Sequence, residues 1–280
     1  MPRIAYLGPE HTNTHMAAQA KFGARSTYVH APTVDDVFSL VEREQADYGV
    51  VPIENSLEGA VTHTLDRFIE FTRTPVHIVG EIEFRIQHYF ITRPGIKSAE
   101  VEAVYSHPQA LAQCRKWLAA HLRKGVALIE TSSTSDAVDG VMMLDPAIRV
   151  PKITAAVGRR EAAKKYGLEA VPIPDERENK TRFLVIGLHE PKKGRKNKTS
   201  ILFALQDRPG ALYDALTPFK RETINLTKIE SRPSKKKAWE YFFFIDVEGR
   251  ASEPRVKRAL KALERSTSLL RVLGSYPVTK

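Results

Sequence analysis

One cysteine in 280 residues, Cys114, excludes an internal disulfide and any zinc site built on several thiolates, and it suits a reducing, cytoplasmic setting. With no Cys-x-x-Cys pair either, the expectation is a chain without a metal. No apolar run approaches the roughly 20 residues that a membrane helix needs. The first residues, MPRIAYLGPE, run almost at once into a strand, with no apolar core or small-residue cleavage site of a signal peptide. Neither Gly-x-Gly-x-x-Gly nor Gly-x-x-x-x-Gly-Lys-[Ser/Thr] occurs, which argues against a dinucleotide or a P-loop nucleotide. Short-period repeats and low-complexity stretches are missing too. What remains, 42% hydrophobic and 27% charged, has the composition of a folded, soluble protein.

The positive charge is unevenly placed. Residues 1–188 carry 22 Lys and Arg against 23 Asp and Glu, whereas residues 189–280 carry 21 against 10. The excess is concentrated in HEPKKGRKNKT and SKKK. A nucleic-acid surface is one reading of such runs. A solvated linker and a solvated hairpin are the other, favoured because no base-stacking aromatics interleave the lysines. Neither nucleic acid nor membrane is expected as a partner.

In the first 188 residues short apolar runs repeatedly precede a polar turn and a helical pattern. Examples are YGVVPI before ENSLEGAVTHTLDRFIE and VEAVYS before HPQALAQCRKWLAAHL. Alternation of this kind predicts βαβ units around mostly parallel sheets. HIVGEIEFRIQHYFIT reads as longer strands crossing into a second α/β lobe. After the basic linker the order changes to β-α-β-β-α-β, a small ferredoxin-like module.

Three strand-to-helix junctions carry capping chemistry: Asn55-x-x-Glu58, Ser106-x-x-Gln109 and Ser133-x-x-Asp136. Pro108 falls in the first helical turn, where its missing N–H costs little. Each of these residues is explained by capping alone. Together, at the carboxyl ends of strands in open α/β sheets, they suit a small organic acid. ENKTRFLVIG adds Asn179, Thr181 and Arg182 before a buried strand, where an arginine can hold a carboxylate and a threonine can donate to a developing oxygen. A structural role for both is equally compatible with the pattern.

YLGPE, VPIENSLEG, YSHPQALAQC, YGL and Ile-x-Asp-x-x-x-Asn-x-Thr-Arg-Phe, in this order, resemble the prephenate dehydratase family. GAL and ESRP in the last third resemble its regulatory ACT domain. The resemblance covers nearly the whole chain, beginning directly at the dehydratase without a chorismate mutase segment. It implies a type II periplasmic-binding-protein-like catalytic domain of two α/β lobes (1–188, second lobe about 78–172). A basic linker (189–198) and a ferredoxin-like βαββαβ ACT domain (199–280) complete the expected organisation. The implied reaction is loss of the ring carboxylate and hydroxyl of prephenate to give phenylpyruvate, a step toward phenylalanine that needs no cofactor.

By resemblance, Thr181 is nearest the chemistry, donating to the departing hydroxyl, with Glu54, Asn55 and Gln113 as further catalytic residues. Arg182 would grip a substrate carboxylate, and Ser56, Ser106, Thr12 and Phe183 would complete the substrate site. Glu54, if buried enough to stay protonated, is a more capable proton donor than an alcohol. L-Phenylalanine is implied as the feedback effector, held by Gly210, Ala211, Leu212, Glu230, Ser231, Arg232 and Pro233 between two ACT modules of a homodimer or homotetramer. The module is expected to be removable, so that a chain cut at residue 198 stays folded and active.

The chain departs from the family pattern at His11 and Asn13, where a glycine and a phenylalanine are usual, at Asp136, and at Gly158 and Arg159. These departures bear on substrate choice. Arogenate, whose side chain carries an ammonium, would welcome acidity near Asp136. A ligand sensor without catalysis is a further alternative.

Overall fold

The computed structural model describes residues 1–70, 74–143, 153–175, 178–234 and 241–278. The lysines of the SKKK run and residues 144–152 of the departing segment lie outside the described residues. Two compact units result: Met1–Leu7, Lys21–Glu83 and Arg182–Lys280 form the first, and Gly8–Ala20 with Phe84–Thr181 the second.

The strands, in chain order, are β1 (Arg3–Leu7), β2 (Thr27–Ala31), β3 (Tyr48–Asn55), β4 (Gly59–Ala60), β5 (His77–Arg85), β6 (Tyr89–Thr92), β7 (Ala103–Ser106) and β8 (Ala127–Glu130). They continue with β9 (Thr154–Gly158), β10 (Glu169–Pro172), β11 (Lys180–Gly187), β12 (Asn197–Ala204), β13 (Leu226–Pro233), β14 (Tyr241–Glu248) and β15 (Leu269–Pro277).

The first sheet has the order β2-β1-β3-β11-β5, with β1 parallel to both β2 and β3. The second repeats the arrangement as β8-β7-β9-β6-β10, again with the parallel trio first. Fully buried runs such as Thr154–Gly158 form strands because both faces must be covered, and helices supply the cover. Helix Val34–Glu42 shows the pattern: Val34, Val37, Phe38 and Val41 are buried, and Thr33 caps it by accepting from the Asp36 N–H at 3.1 Å.

The third sheet, β13-β14-β12-β15, carries helices Ala211–Arg221 and Pro254–Glu264 and is the expected βαββαβ module. Its first strand begins at Asn197, so Asn197 and Lys198, read from the sequence as linker, belong to the sheet. Lys198 is not solvated either: its Nζ lies 2.9 and 2.8 Å from the Glu81 carboxylate oxygens.

One face of this sheet packs on its own helices, but the other does not stand alone. Leu202, Phe242, Phe244, Leu273 and Tyr276 share a single core with Val51, Ile53, Phe68, Ile78 and Leu184 of the first sheet and its helices. At Gly274 the two sheets meet backbone to backbone. A Cβ there would stand 2.0 Å from the Ile78 carbonyl oxygen, so only glycine fits. Removal of the module would expose this core, which argues against a detachable domain.

An ionic cage closes the same junction. The Arg182 Nη1 donates to Asp246 Oδ2 at 2.6 Å and to Glu81 Oε2 at 3.2 Å, while Nε and Nη2 donate to Glu54 Oε2 at 3.2 and 2.9 Å. Ser200 donates to the other Asp246 oxygen at 2.6 Å, and Lys228 Nζ lies 3.1 Å from Glu54. Burial alone would lower the guanidinium pKa; Asp246 and Glu81 more than offset it, so Arg182 is held as a cation. Burial would likewise push the Glu54 carboxyl up, but Lys228 and Arg182 outweigh it and hold it below its ordinary value.

Gly274→Ala is expected to cost about 1–3 kcal/mol or more in urea unfolding. Gly140→Ala, in a helix with open space around the new methyl, is expected to stabilise by about 0.5–1 kcal/mol. Asp246→Asn, which removes one partner of a buried pair, is expected to cost about 3–5 kcal/mol. A depressed Glu54 pKa contributes stability above the unfolded carboxylate range and loses it as pH falls through the folded pKa. Glu54→Gln should therefore flatten the acid limb of the stability–pH curve. Truncation at residue 198 should yield an unfolded or aggregating chain in circular dichroism and gel filtration.

Candidate active-site residues in the two units

In the first unit, β3 ends at Glu54 and Asn55. The Asn55 Oδ1 accepts from the Leu57 and Glu58 N–H groups at 3.0 and 3.2 Å. It does not open a helix, as the sequence predicts, but a hairpin: Asn55 pairs with Gly59 and Glu54 with Ala60. The helix begins only at Thr62. Amides two and three residues on can be bonded by an Asx side chain in a turn or in a helix start. Gly59, at φ +83°, selects the turn. Ser56 is exposed on it.

Glu54 and Arg182 are brought together, and both expected roles change. Glu54 is held as an anion by Lys228 and Arg182, so it is not a protonated donor. Arg182 spends its donors on Glu54, Glu81 and Asp246, and its grip is on the protein's own carboxylates instead of a substrate's. Phe183 is buried in the first unit.

In the second unit, Thr181 is half-buried at the start of β11. Two residues earlier Asn179, fully buried, donates its Nδ2 to Gln113 Oε1 at 2.9 Å. The same oxygen lies 2.9 Å from His88 Nε2, which assigns the His88 proton to that nitrogen. Burial, and then Arg159, lower the His88 pKa against the opposing bond to Gln113, so the ring is neutral. The Asn179 carbonyl accepts from the Ile86 N–H at 2.8 Å. Thr181 therefore follows a main-chain segment pinned on both its side chain and its carbonyl.

Ser106 does not cap the helix that follows it. Its buried hydroxyl donates to the Val157 carbonyl at 2.7 Å, joining β7 to β9. His107 caps helix Pro108–Gln113, its Nδ1 accepting from the Gln109 N–H at 3.3 Å, and Pro108 occupies the first turn as expected. Ser133 does cap: its hydroxyl accepts from the Asp136 N–H at 3.0 Å. The Asp136 carboxylate is engaged by Ser132.

Thr12 starts helix Asn13–Phe22, donating to the Pro9 carbonyl at 2.9 Å and accepting from the His15 N–H at 3.4 Å. His11, where the family usually has glycine, has φ +63°, a conformation that glycine adopts without strain. His11 and His15 stand four residues apart, the spacing of paired helical ligands, but His11 precedes the helix and its N–H donates to His15 Nδ1 at 3.0 Å. Among the described residues no three His, Cys, Asp or Glu side chains group as a metal site.

Two residues at this edge of the second sheet were not assigned to a site from the sequence: His88 and Arg159. Gln87-His88 is a polar pair that breaks an alternating strand, and Arg159 follows the buried run TAAVG, so each left a signal.

In the third sheet, Gly210 (φ +78°) precedes helix Ala211–Arg221, with Ala211 and Leu212 half-buried. On β13 Lys228, Glu230 and Arg232 share the half-buried face, and Thr227, Ile229, Ser231 and Pro233 are exposed. Arg232 is paired with Asp66, its Nη2 donating to Oδ1 at 3.0 Å.

Residues 4–191 match the prephenate dehydratase family and residues 199–265 the ACT domain family. The bifunctional chorismate mutase/prephenate dehydratase of Aquifex aeolicus is 48% identical over 278 residues, covering 98% of this chain and 73% of that protein. The crystal structure of prephenate dehydratase from Arthrobacter aurescens in complex with L-Phe superposes with a TM-score of 0.87 at 32% identity, covering 98% and 89% of the two chains. The structure of GqqA, described as a novel type of quorum quenching acylase, superposes with a TM-score of 0.83 at 27% identity, covering 99% and 98%. The expected fold, two α/β lobes of the type II periplasmic-binding-protein kind followed by a ferredoxin-like ACT module, is the fold found. By these matches, along nearly its whole length, the chain belongs to the prephenate dehydratase family and carries an ACT domain.

Proposed function

We propose that the chain is a carbon–oxygen lyase that converts prephenate to phenylpyruvate, carbon dioxide and water, with L-phenylalanine as feedback inhibitor. The observation that carries this reading is the intact Asn179-x-Thr181-Arg182-Phe183 segment, within a family match spanning residues 4–191. Its Asn179 is locked to Gln113 at 2.9 Å.

The chemistry asks for little beyond placement and hydrogen bonding. Loss of the ring carboxylate and hydroxyl makes the ring aromatic, which supplies the driving force. An alcohol is a weak acid near neutral pH, so Thr181 acts by donating a hydrogen bond to the departing oxygen from a fixed position, and the proton that turns the departing hydroxide into water comes from solvent. Asn179 and Gln113 fix that position from one side. Arg182, seated among Glu54, Glu81 and Asp246, fixes the next residue of the same strand. Glu54 and Arg182 thus act as positioning residues. Asn55 and Ser56 form the turn at the end of β3, and Ser106 holds β7 to β9.

L-Phenylalanine is read as the effector because the Arthrobacter aurescens relative is described in complex with it. Gly210, Ala211, Leu212, Glu230, Ser231 and Pro233 are the residues proposed to hold it. The exposed face of β13, an edge strand that presents Ile229, supports pairing of two ACT modules and hence a homodimer or a homotetramer. A cytoplasmic location follows from a biosynthetic role. Among the described residues no helix is long and apolar enough to cross a membrane. Arogenate remains a second substrate to test, although Asp136, already engaged by Ser132 and its own helix start, gives it no particular support.

Purified protein is expected to form phenylpyruvate from prephenate, and L-phenylalanine to suppress the rate. No product from prephenate or arogenate would remove the enzyme reading. Thr181→Ala is expected to lower kcat at least about a hundredfold with an unchanged circular dichroism spectrum. Near-normal turnover would take Thr181 out of the mechanism.

A further inference from the structure

Arg159 sits just past the end of β9, at the edge of the second sheet where β7 ends in Ser106. It is 8% exposed, and among the described residues its Nε and Nη1 have no hydrogen-bond partner. Its nearest anion is Glu161 Oε2, 3.4 Å from Nε but outside hydrogen-bond geometry. The guanidinium lies over the Phe84 ring, 5.1 Å from its centroid, an arrangement that holds it by its face and leaves Nε and Nη1 without an acceptor. Burial and then Arg159 lower the His88 pKa, so that ring adds no second positive charge beside the guanidinium. Burying two guanidinium nitrogens with no hydrogen-bond acceptor is costly even beside the Glu161 charge, and such a site suits an anion that arrives from outside.

We infer that Arg159 binds the carboxylate of the substrate's three-carbon side chain. The inference rests on the dehydratase reading above and deepens it. Of the two carboxylates of prephenate, the ring carboxylate leaves as neutral carbon dioxide. A cation held against it would stabilise the ground state more than the transition state and slow its loss. The side-chain carboxylate keeps its charge throughout and passes unchanged into phenylpyruvate. A fixed arginine can therefore hold it equally in substrate, transition state and product. Arg159 takes the anchoring part that the sequence gives to Arg182, whose donors go to Glu54, Glu81 and Asp246.

Uniform binding has a distinct kinetic signature: it sets KM and product affinity and leaves kcat alone. Arg159→Gln is expected to raise KM for prephenate and to weaken phenylpyruvate binding, measured by titration calorimetry, by one common factor of about 10 to 100. The change in kcat should stay within about threefold. Arg159→Lys, which keeps the charge and loses the planar fork, is expected to show a smaller common factor, and it decides the matter if the glutamine variant fails to fold. Wild-type KM and phenylpyruvate affinity in the folded variants would overturn the inference, as would a fall in kcat with KM unmoved. A wild-type protein that neither turns over prephenate nor binds phenylpyruvate would overturn the reading beneath it, and the inference with it.

Discussion

The interaction on which the first unit depends is the pairing of one buried arginine with three carboxylates from three strands. Arg182 of β11 meets Glu54 of β3, Glu81 of β5 and Asp246 of β14. The first two belong to the first sheet, and the third belongs to the ACT module. Removing one partner of a buried ion pair is costly, so the position of the ACT sheet and the position of the strand segment that begins at Arg182 are set together. Gly274 enforces the same registry sterically, because no other residue lets β15 approach the Ile78 backbone. Lys228 and Arg232, on one face of β13, extend the contact to Glu54 and Asp66.

This arrangement gives a physical reason for a regulatory module to matter to catalysis. Its edge strand β13 carries Glu230 between Lys228 and Arg232, which are tied to the catalytic part of the unit. A ligand that shifts β13 has to work against those pairs. The second unit answers with a neutral cluster: His88, Gln113 and Asn179 share one amide oxygen and fix the segment leading to Thr181. Positioning in the first unit is ionic, and in the second it rests on amides and an uncharged imidazole.

Much of the fold was legible because local patterns decide it. Runs such as TAAVG and YGVVPI are buried strands, and the β-α-β-β-α-β order of the last third survives into the structure. The capping residues were legible only as polar residues near a turn. Asn55 bonds two amides as a cap would, yet Gly59 diverts the chain into a hairpin. Ser106 looks like a cap, but an inward-facing strand end spends its hydroxyl on the neighbouring strand. Arg182 looks like a ligand residue because its three partners lie 128, 101 and 64 residues away in sequence. Nothing in local sequence marks such pairs, nor the core that the ACT module shares with the first sheet.

The most direct test of this account is hydrogen exchange in the whole chain, read strand by strand. If the cage and the shared core make one cooperative unit, the amides of β3, β11, β12 and β14 open together, with one free energy and one denaturant dependence. Exchange of β12 and β14 through a separate, lower-energy opening that leaves β3 and β11 protected would contradict it.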